Sequence, residues 1–347
     1  MVRTSSLVAV LVTGLAACIG AAIANRDPAA NAPTAARRQD PQEQEIDKRA
    51  VLPLAAAKAP ADLGDKAFDH VRNLVAFGPR HTATAPTPGW SKQLDYIETH
   101  CKQLGLEVVR DTWTDRKELL TFTNLTAVIP GSKKERIVLC CHHDTKCTTG
   151  HKEAEHNFHF VGANDGGSGT ALLLALAPVL IARKFEATIE LVFFDGEESL
   201  DWAWNDAARA LFGSKRFAKH HREALLLGEE ARIEALILLD MVGRTDLHIQ
   251  EELYSTARLR KILWSAAVAC GHDKHFFQRA EAAKDDHKPF LDVGIPAVDL
   301  IDLNGNPTWH KASDTLENMS PESLQITADV VLTMLPEVER VYVLRQN

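Results

Sequence analysis

The sequence predicts one globular α/β domain with a mostly parallel, mixed central β-sheet flanked by helices. Short hydrophobic runs rich in β-branched residues alternate along the chain with longer segments of helical spacing. Strands that alternate with helices are typical of a largely parallel sheet covered by helices. At 347 residues with 45% hydrophobic content, the chain is also long enough to bury one large core.

The expected strands are hydrophobic runs, preceded by an extended segment at Leu106–Thr112. They lie at Leu120–Pro130, Glu135–Cys141, Ala187–Phe194, Ile233–Val242 and Ala297–Ile301. The expected helices have apolar residues at helical intervals. They lie at Asp65–Val75, Trp90–Leu104, Gly169–Arg183, Asp206–Arg222, Leu253–Cys270 and Pro321–Val343.

Residues 1–24 are predicted to be a signal peptide or a lipoprotein signal. One positive charge precedes the apolar stretch Leu7–Ile23, as in secretory signals. Leu15-Ala16-Ala17-Cys18 resembles a bacterial lipobox, which would anchor the protein through a lipid on Cys18, whereas Ala22-Ile23-Ala24 resembles an ordinary cleavage site. An uncleaved signal anchor is the third alternative. All three predict a secreted or extracytoplasmic protein.

Residues 25–58 are rich in Ala, Pro, Gln and charge, and they are predicted to form a disordered tether or pro-segment. Residues 59–347 are the predicted catalytic domain. The net charge of -8 and the absence of a basic run in the body of the chain argue against a nucleic-acid partner. Membrane contact is expected only through the signal or a lipid anchor.

Carboxylates and imidazoles follow the ends of successive predicted strands and loops. They are His142-His143-Asp144, Asp165, Asp195-Gly196-Glu197-Glu198, Asp240, Asp285-Asp286-His287 and Trp309-His310. In open α/β sheets the site lies beyond the carboxyl ends of the strands, so these groups are expected to meet at one edge. Carboxylate and imidazole ligands suit Zn²⁺ or a similar divalent ion in a catalytic site. At Glu197-Glu198, one side chain could bind metal while the other moves protons.

This order resembles the zinc-dependent, M28-type aminopeptidase clan that includes the glutaminyl-peptide cyclotransferases. The clan's motifs match His142 with Asp144, Asp165, Glu197 with Glu198, Asp240 and His310. Phe193–Glu198, Asp285–Phe290 and Trp309-His310 are similar to the cyclase versions, whereas Asp165–Gly169 is more similar to the aminopeptidase form. The resemblance implies a zinc exopeptidase-like, phosphorylase/hydrolase-like fold.

The resemblance to the cyclases also implies the roles of individual residues. One zinc ion would be held by Asp165, Glu198 and His310, with Glu197 as acid/base and Asp240 and Asp285 in a supporting catalytic network. Trp309, and Trp202 or Trp204, would wall the substrate pocket. The implied reaction converts an amino-terminal glutamine of peptides or proteins to pyroglutamate with release of ammonia.

Two other functions stay open at this point. An M28-type aminopeptidase would release amino-terminal residues, and its second metal ion could be held by His142 and Asp240. A receptor-like domain would keep the fold without a metal. The loop histidines His151, His156 and His159 are expected to be solvated surface groups, and no role is assigned to them.

Overall fold

The computed structural model describes residues 45–83 and 87–345 and is built around a six-stranded sheet. The strands of the described residues are β1 (Glu107–Thr114), β2 (Thr121–Ile129), β3 (Arg136–His142), β4 (Thr188–Phe194), β5 (Ile233–Asp240), β6 (Ile249–Glu252), β7 (Phe276–Glu281) and β8 (Ala297–Ile301), and β6 and β7 lie outside this sheet. The order in the sheet is β1-β2-β4-β3-β5-β8. β4, β3, β5 and β8 are parallel to one another, whereas β2 pairs antiparallel with both β4 and the edge strand β1. The predicted mixed, mostly parallel sheet is confirmed.

Helices cover both faces of this sheet. They are α1 (Leu63–Ala76), α2 (Pro88–Gln103), α3 (Gly167–Arg183), α4 (Phe212–Leu227), α5 (Ala257–Cys270), α6 (Lys288–Asp292) and α7 (Pro321–Val338), which a π-helical turn at Glu339–Val343 continues. Among the described residues, none of the helices combines the length and the apolar character that crossing a membrane requires.

Alternate side chains of the central strands point into two separate hydrophobic clusters. Along β3, Leu139 and Cys141 join the larger cluster, which contains residues of α1, α3, α5 and α7. Val138 and Cys140 face the other side, where Phe290 of α6 packs. This alternation follows from the two-residue period of a strand. Because both faces of the central strands are buried, most side chains in their sequences are hydrophobic.

The short strands β6 and β7 pair parallel in a second sheet that the sequence did not predict. β6 lacks an apolar run because its buried side chains Glu251 and Glu252 are charged. Glu251 Oε1 accepts a 2.7 Å hydrogen bond from Arg260, and Glu252 Oε2 lies 3.0 Å from His287 Nε2. Buried charges of this kind are tolerated only when they are paired.

Residues 45–58, part of the segment predicted to be a disordered tether or pro-segment, lie along the domain, so the disordered tether is wrong for these residues. The pro-segment stays a prediction. The backbone N–H groups of residues 45–58 find fixed acceptors: Leu52 donates to Ser265 of α5 at 2.9 Å, and Ala57 donates to Thr333 of α7 at 2.9 Å. Ile46, Leu52 and Leu54 pack against the main hydrophobic cluster. We call residues 45–59 the strap. The predicted signal at 1–24 and the rest of the tether, up to residue 44, lie outside the described residues.

The first turn of α3 lies directly against the sheet at Gly169. A Cβ at this position would come within 2.2 Å of the Leu239 carbonyl oxygen in β5 and 2.8 Å of the Cys141 Cβ in β3. Only glycine permits so close an approach. This contact fixes the amino-terminal end of α3, and with it Asp165, at the carboxyl edge of the strands.

Candidate active site and metal centre

The predicted site residues meet at the carboxyl ends of the parallel strands. His142 ends β3 and Asp240 ends β5, while Glu197 and Glu198 follow β4. Asp165 precedes α3, and His310 stands in the loop after β8 with a left-handed backbone (φ 51°). The fold thus brings residues together that are up to 168 positions apart in sequence, from His142 to His310.

Asp165, Glu198 and His310 each offer one ligand atom, and these atoms lie within 4.8 Å of one another. His310 Nε2 is 3.2 Å from Glu198 Oε2 and 3.5 Å from Asp165 Oδ2. Both Glu198 oxygens and Asp165 Oδ2 are buried and accept no hydrogen bond from the described residues, although Lys146 Nζ lies 3.3 Å from Glu198 Oε2. Buried carboxylate oxygens need a cation or a donor, so these residues fit a divalent metal ion.

A second group of potential ligands shares Asp165 with the first. His142 Nε2 lies 3.2 Å from Asp165 Oδ1 and 3.1 Å from Asp240 Oδ1. Burial opposes a charge on the imidazole, but the carboxylates of Asp240, Asp144 and Asp165 raise the pKa of His142 well above its ordinary value. The two oxygens of Asp165 therefore face two adjacent positions, each of which could hold an ion.

Glu197 lies beside the first group, in a cavity of about 470 Å³ that Asp240 and Asp285 also line. Burial, and then the nearby Glu198 and Asp285 carboxylates, raise the pKa of Glu197 well above its usual range, although His142 opposes this. Burial and Asp240 raise the pKa of Asp285 to about 7. A bound cation would oppose both rises. Without a bound cation, burial and the neighbouring carboxylates thus favour the protonated form of both groups.

Two buried aspartates fix the backbone that carries these groups. Asp144 accepts hydrogen bonds from the N–H of Glu197 at 3.2 Å and of Glu198 at 3.3 Å. Asp314 accepts from the N–H of Asn164 at 2.8 Å and of Asp165 at 3.0 Å. Sequence reasoning missed Asp314, whose only signal is its position four residues after His310.

Lys146 was also missed. It is 2% exposed, and its Nζ lies 3.3 Å from Glu198 Oε2 and donates to the Ser199 carbonyl at 2.9 Å. Burial raises the pKa of Glu198, but His310 and Lys146 together outweigh it and hold this pKa below its ordinary range. The sequence does place this lysine only two residues after Asp144, in the segment that follows the buried strand β3, which could have indicated a role in the site.

Tryptophan side chains form much of the cavity wall. Trp309 stacks on the His310 ring with centroids 4.4 Å apart and is 40% exposed. Trp202 lies 5.8 Å from the same ring, and Trp204 lines the cavity beside it. The structure therefore places both alternatives from the sequence, Trp202 and Trp204, along the pocket.

The class of protein follows from the fold, the site and a match to a known family. Residues 124–335, which contain every potential metal ligand of the two groups, match peptidase family M28. This match covers more than half of the chain. The chain therefore belongs to peptidase family M28, as its sequence motifs predicted.

Within this family the chain is similar to glutaminyl-peptide cyclotransferases. It is 30% identical to the glutaminyl-peptide cyclotransferase of Drosophila melanogaster over 251 residues, which are 63% of this chain and 67% of the relative. A glutaminyl cyclase from an Acidobacteriales bacterium superposes with a TM-score of 0.70 at 34% identity, over 82% of this chain and 99% of the other. A leucine aminopeptidase precursor from Bacteroides thetaiotaomicron superposes with a TM-score of 0.71 at 25% identity, over 81% and 98%.

Proposed function

We propose that this protein is a glutaminyl-peptide cyclotransferase that converts the amino-terminal glutamine of peptides or proteins to pyroglutamate and releases ammonia. One observation carries the proposal: Asp165 and His310 of the first ligand group, the Glu197 carboxylate and a tryptophan wall border one cavity of about 470 Å³, and the third ligand, Glu198, lies 3.2 Å from His310. A cavity of this size lies in the range of small-ligand sites, so it can accommodate the amino-terminal residue of a peptide. The similarity to glutaminyl cyclases in sequence and structure supports the same reaction.

The proposed cofactor is Zn²⁺, held by Asp165, Glu198 and His310. Two carboxylates and one imidazole are suitable zinc ligands, and three protein ligands leave a position open for substrate. When bound, zinc would polarise the γ-carbonyl of the substrate glutamine. Lys146 and His310 keep Glu198 ionised, which a metal ligand must be.

Glu197 is the proposed acid/base group. The α-amine of the substrate forms the new bond to its own γ-carbonyl carbon, and the bond from that carbon to the amide nitrogen breaks. Glu197 accepts the proton that the amine loses and donates it to the departing nitrogen, which leaves as ammonia. Asp240 and Asp285, in the same cavity, support the proton position on Glu197. The nucleophile belongs to the substrate, so proximity favours ring closure.

The direct test is mass spectrometry of the zinc-loaded protein with two peptides, one beginning with glutamine and one with leucine. Loss of ammonia from the glutamine peptide alone is expected. Glu197→Gln should keep the bound zinc, measured by metal analysis, and lower kcat by about 10² to 10⁴, the range that general acid–base catalysis supplies. Full activity in this variant would contradict the assigned role.

An M28 aminopeptidase is the second candidate, since one observation favours it. His142, Asp165 and Asp240 form a second ligand group beside the first, and a leucine aminopeptidase precursor is among the similar structures. Two-metal sites of this kind can activate a water molecule for peptide hydrolysis. Release of free leucine from the second peptide, with two zinc ions per chain, would establish this activity instead.

We also propose that the protein acts outside the cytosol. The support is the apolar stretch Leu7–Ile23 after one positive charge, and Cys18 in the lipobox-like motif is the proposed anchor. Fractionation of expressing cells, with the wild type beside Cys18→Ala, tests both points. A soluble extracytoplasmic variant and a membrane-bound wild type are expected, whereas a cytosolic wild type would contradict the proposal.

A further inference from the structure

Three side chains of the loop between β3 and α3 form a potential metal site separate from the two groups described above. His151, Glu153 and His156 each offer one ligand atom, and these atoms lie within 4.8 Å of one another. The sequence suggested only solvated surface groups here. The fold brings the two imidazoles together, because a 3-10 turn at Ala154–His156 folds the loop back on itself.

The three side chains are already oriented toward one another. His156 Nδ1 lies 3.0 Å from Glu153 Oε2, and the centroids of the two imidazole rings are 4.9 Å apart. His151 Nδ1 accepts a long 3.2 Å hydrogen bond from the Glu153 N–H, which an ion could replace. Two imidazoles and one carboxylate are a ligand set typical of Zn²⁺, with a fourth position left for water.

The cluster is connected to the catalytic pocket through Trp202. The His156 ring stacks on Trp202 with centroids 3.8 Å apart and an angle of 13° between the planes. His151 meets the same indole edge-on at 5.3 Å, and Trp202 lies 5.8 Å from His310. An ion held by the two histidines would therefore fix one wall of the pocket.

We propose that His151, Glu153 and His156 bind a zinc-like divalent ion at the rim of the catalytic pocket. The side chain of Glu153 is 61% exposed and that of His156 is 21% exposed, whereas the side chains of Asp165 and Glu198 are each 4% exposed. Exposed ligands are more mobile and better solvated, so the rim ion binds more weakly than an ion at the buried group. Its occupancy thus depends on the free zinc concentration, and it immobilises Trp202.

Calorimetric titration of the full chain, already loaded at its tight site, with Zn²⁺ tests this proposal. We expect the wild type to bind one additional, weakly held zinc ion that the His151→Ala and His156→Ala variants do not bind. Loss of a direct ligand should lower the affinity for this ion by at least roughly tenfold, because even the loss of a residue that only hydrogen-bonds to a ligand has an effect of that size. The control is His159→Ala, an exposed histidine of the same loop, which should titrate like the wild type.

A second measurement uses Cu²⁺ as the probe and reads tryptophan fluorescence. Because His156 stacks on Trp202, copper at the rim should quench this indole among the six tryptophans of the chain. Trp202→Phe should lose the quenching and keep the weak zinc ion. Equal numbers of zinc ions in the wild type and His156→Ala would overturn the proposal, since any additional ion would then belong to His142 and Asp240. Both readouts are independent of the cyclase reaction.

Discussion

Replacing Gly169 with alanine tests how tightly the end of α3 is seated on the sheet. The new Cβ would lie 2.2 Å from the Leu239 carbonyl oxygen, whereas ordinary contacts begin at 3.4 Å. The helix end must therefore retreat by about 1.2 Å, because the obstacle is backbone and not a flexible side chain. Asp165, four residues earlier, moves with it.

Two effects of this substitution oppose each other, and their magnitudes decide the outcome. Alanine has a higher helix propensity than glycine, worth up to about 1 kcal/mol. Forcing an extra carbon into a close-packed contact costs typically 1–3 kcal/mol. We expect the steric cost to exceed the propensity gain, so the free energy of unfolding of Gly169→Ala falls by up to about 2 kcal/mol.

The assay combines thermal unfolding with zinc titration of the metal-free protein. A displacement near 1 Å at Asp165 should also lower kcat/KM about 10²-fold. The control is Ala182→Gly, at an exposed position of the same helix, which should lose stability through helix propensity alone and keep its zinc affinity. A Gly169→Ala protein with raised Tm and normal zinc affinity would refute the reasoning.

Three further predictions concern the pocket, the site backbone and pH. Trp309→Ala should raise KM for glutaminyl peptides several-fold, since an aromatic contact contributes about 0.5–1.5 kcal/mol; an unchanged KM would remove Trp309 from the pocket. Asp144→Ala leaves the N–H of Glu197 without its acceptor, so kcat should fall more than KM changes in steady-state kinetics, and equal changes in both would contradict a positioning role. Burial would raise the pKa of Glu252, but His287 and backbone donors lower it to about 2. Because this folded-state pKa is below the unfolded value near 4.3, the stabilisation is present above that pH and is lost as the pH falls toward 2. The Tm difference between wild type and Glu252→Gln should therefore shrink between pH 5 and pH 2.5, and a constant difference would contradict this reasoning.

The central sheet was predictable because its strands are buried on both faces. The predicted strand Glu135–Cys141 ends in five consecutive apolar residues, so its position is visible in the sequence and agrees within a residue with β3. The pair β6 and β7 was not predictable. Glu251 and Glu252 look like solvent-exposed residues until Arg260, on the following helix, and His287, 35 positions from Glu252, are known to face them.

The residues of the candidate site also fall into a predictable and an unpredictable group. Potential ligands that follow strand ends, such as His142 and Asp240, were predictable because the parallel sheet brings such ends to one edge. Lys146 and Asp314 act through backbone and ion-pair contacts that depend on loop paths, and no local pattern encodes those paths. The strap was included in the predicted tether or pro-segment because its apolar residues show no period.

The strap also has a consequence for the order of folding. Its hydrogen bonds join residues far apart in sequence: Ile46 is 205 positions from its partner Glu251, and Ala57 is 276 positions from Thr333. Such distant pairings carry a large loop-closure entropy, so they form late. During synthesis, residues 45–59 emerge long before α5 and α7, and they can dock only after those helices have formed. Weakening the strap should therefore accelerate unfolding and leave the refolding rate nearly unchanged.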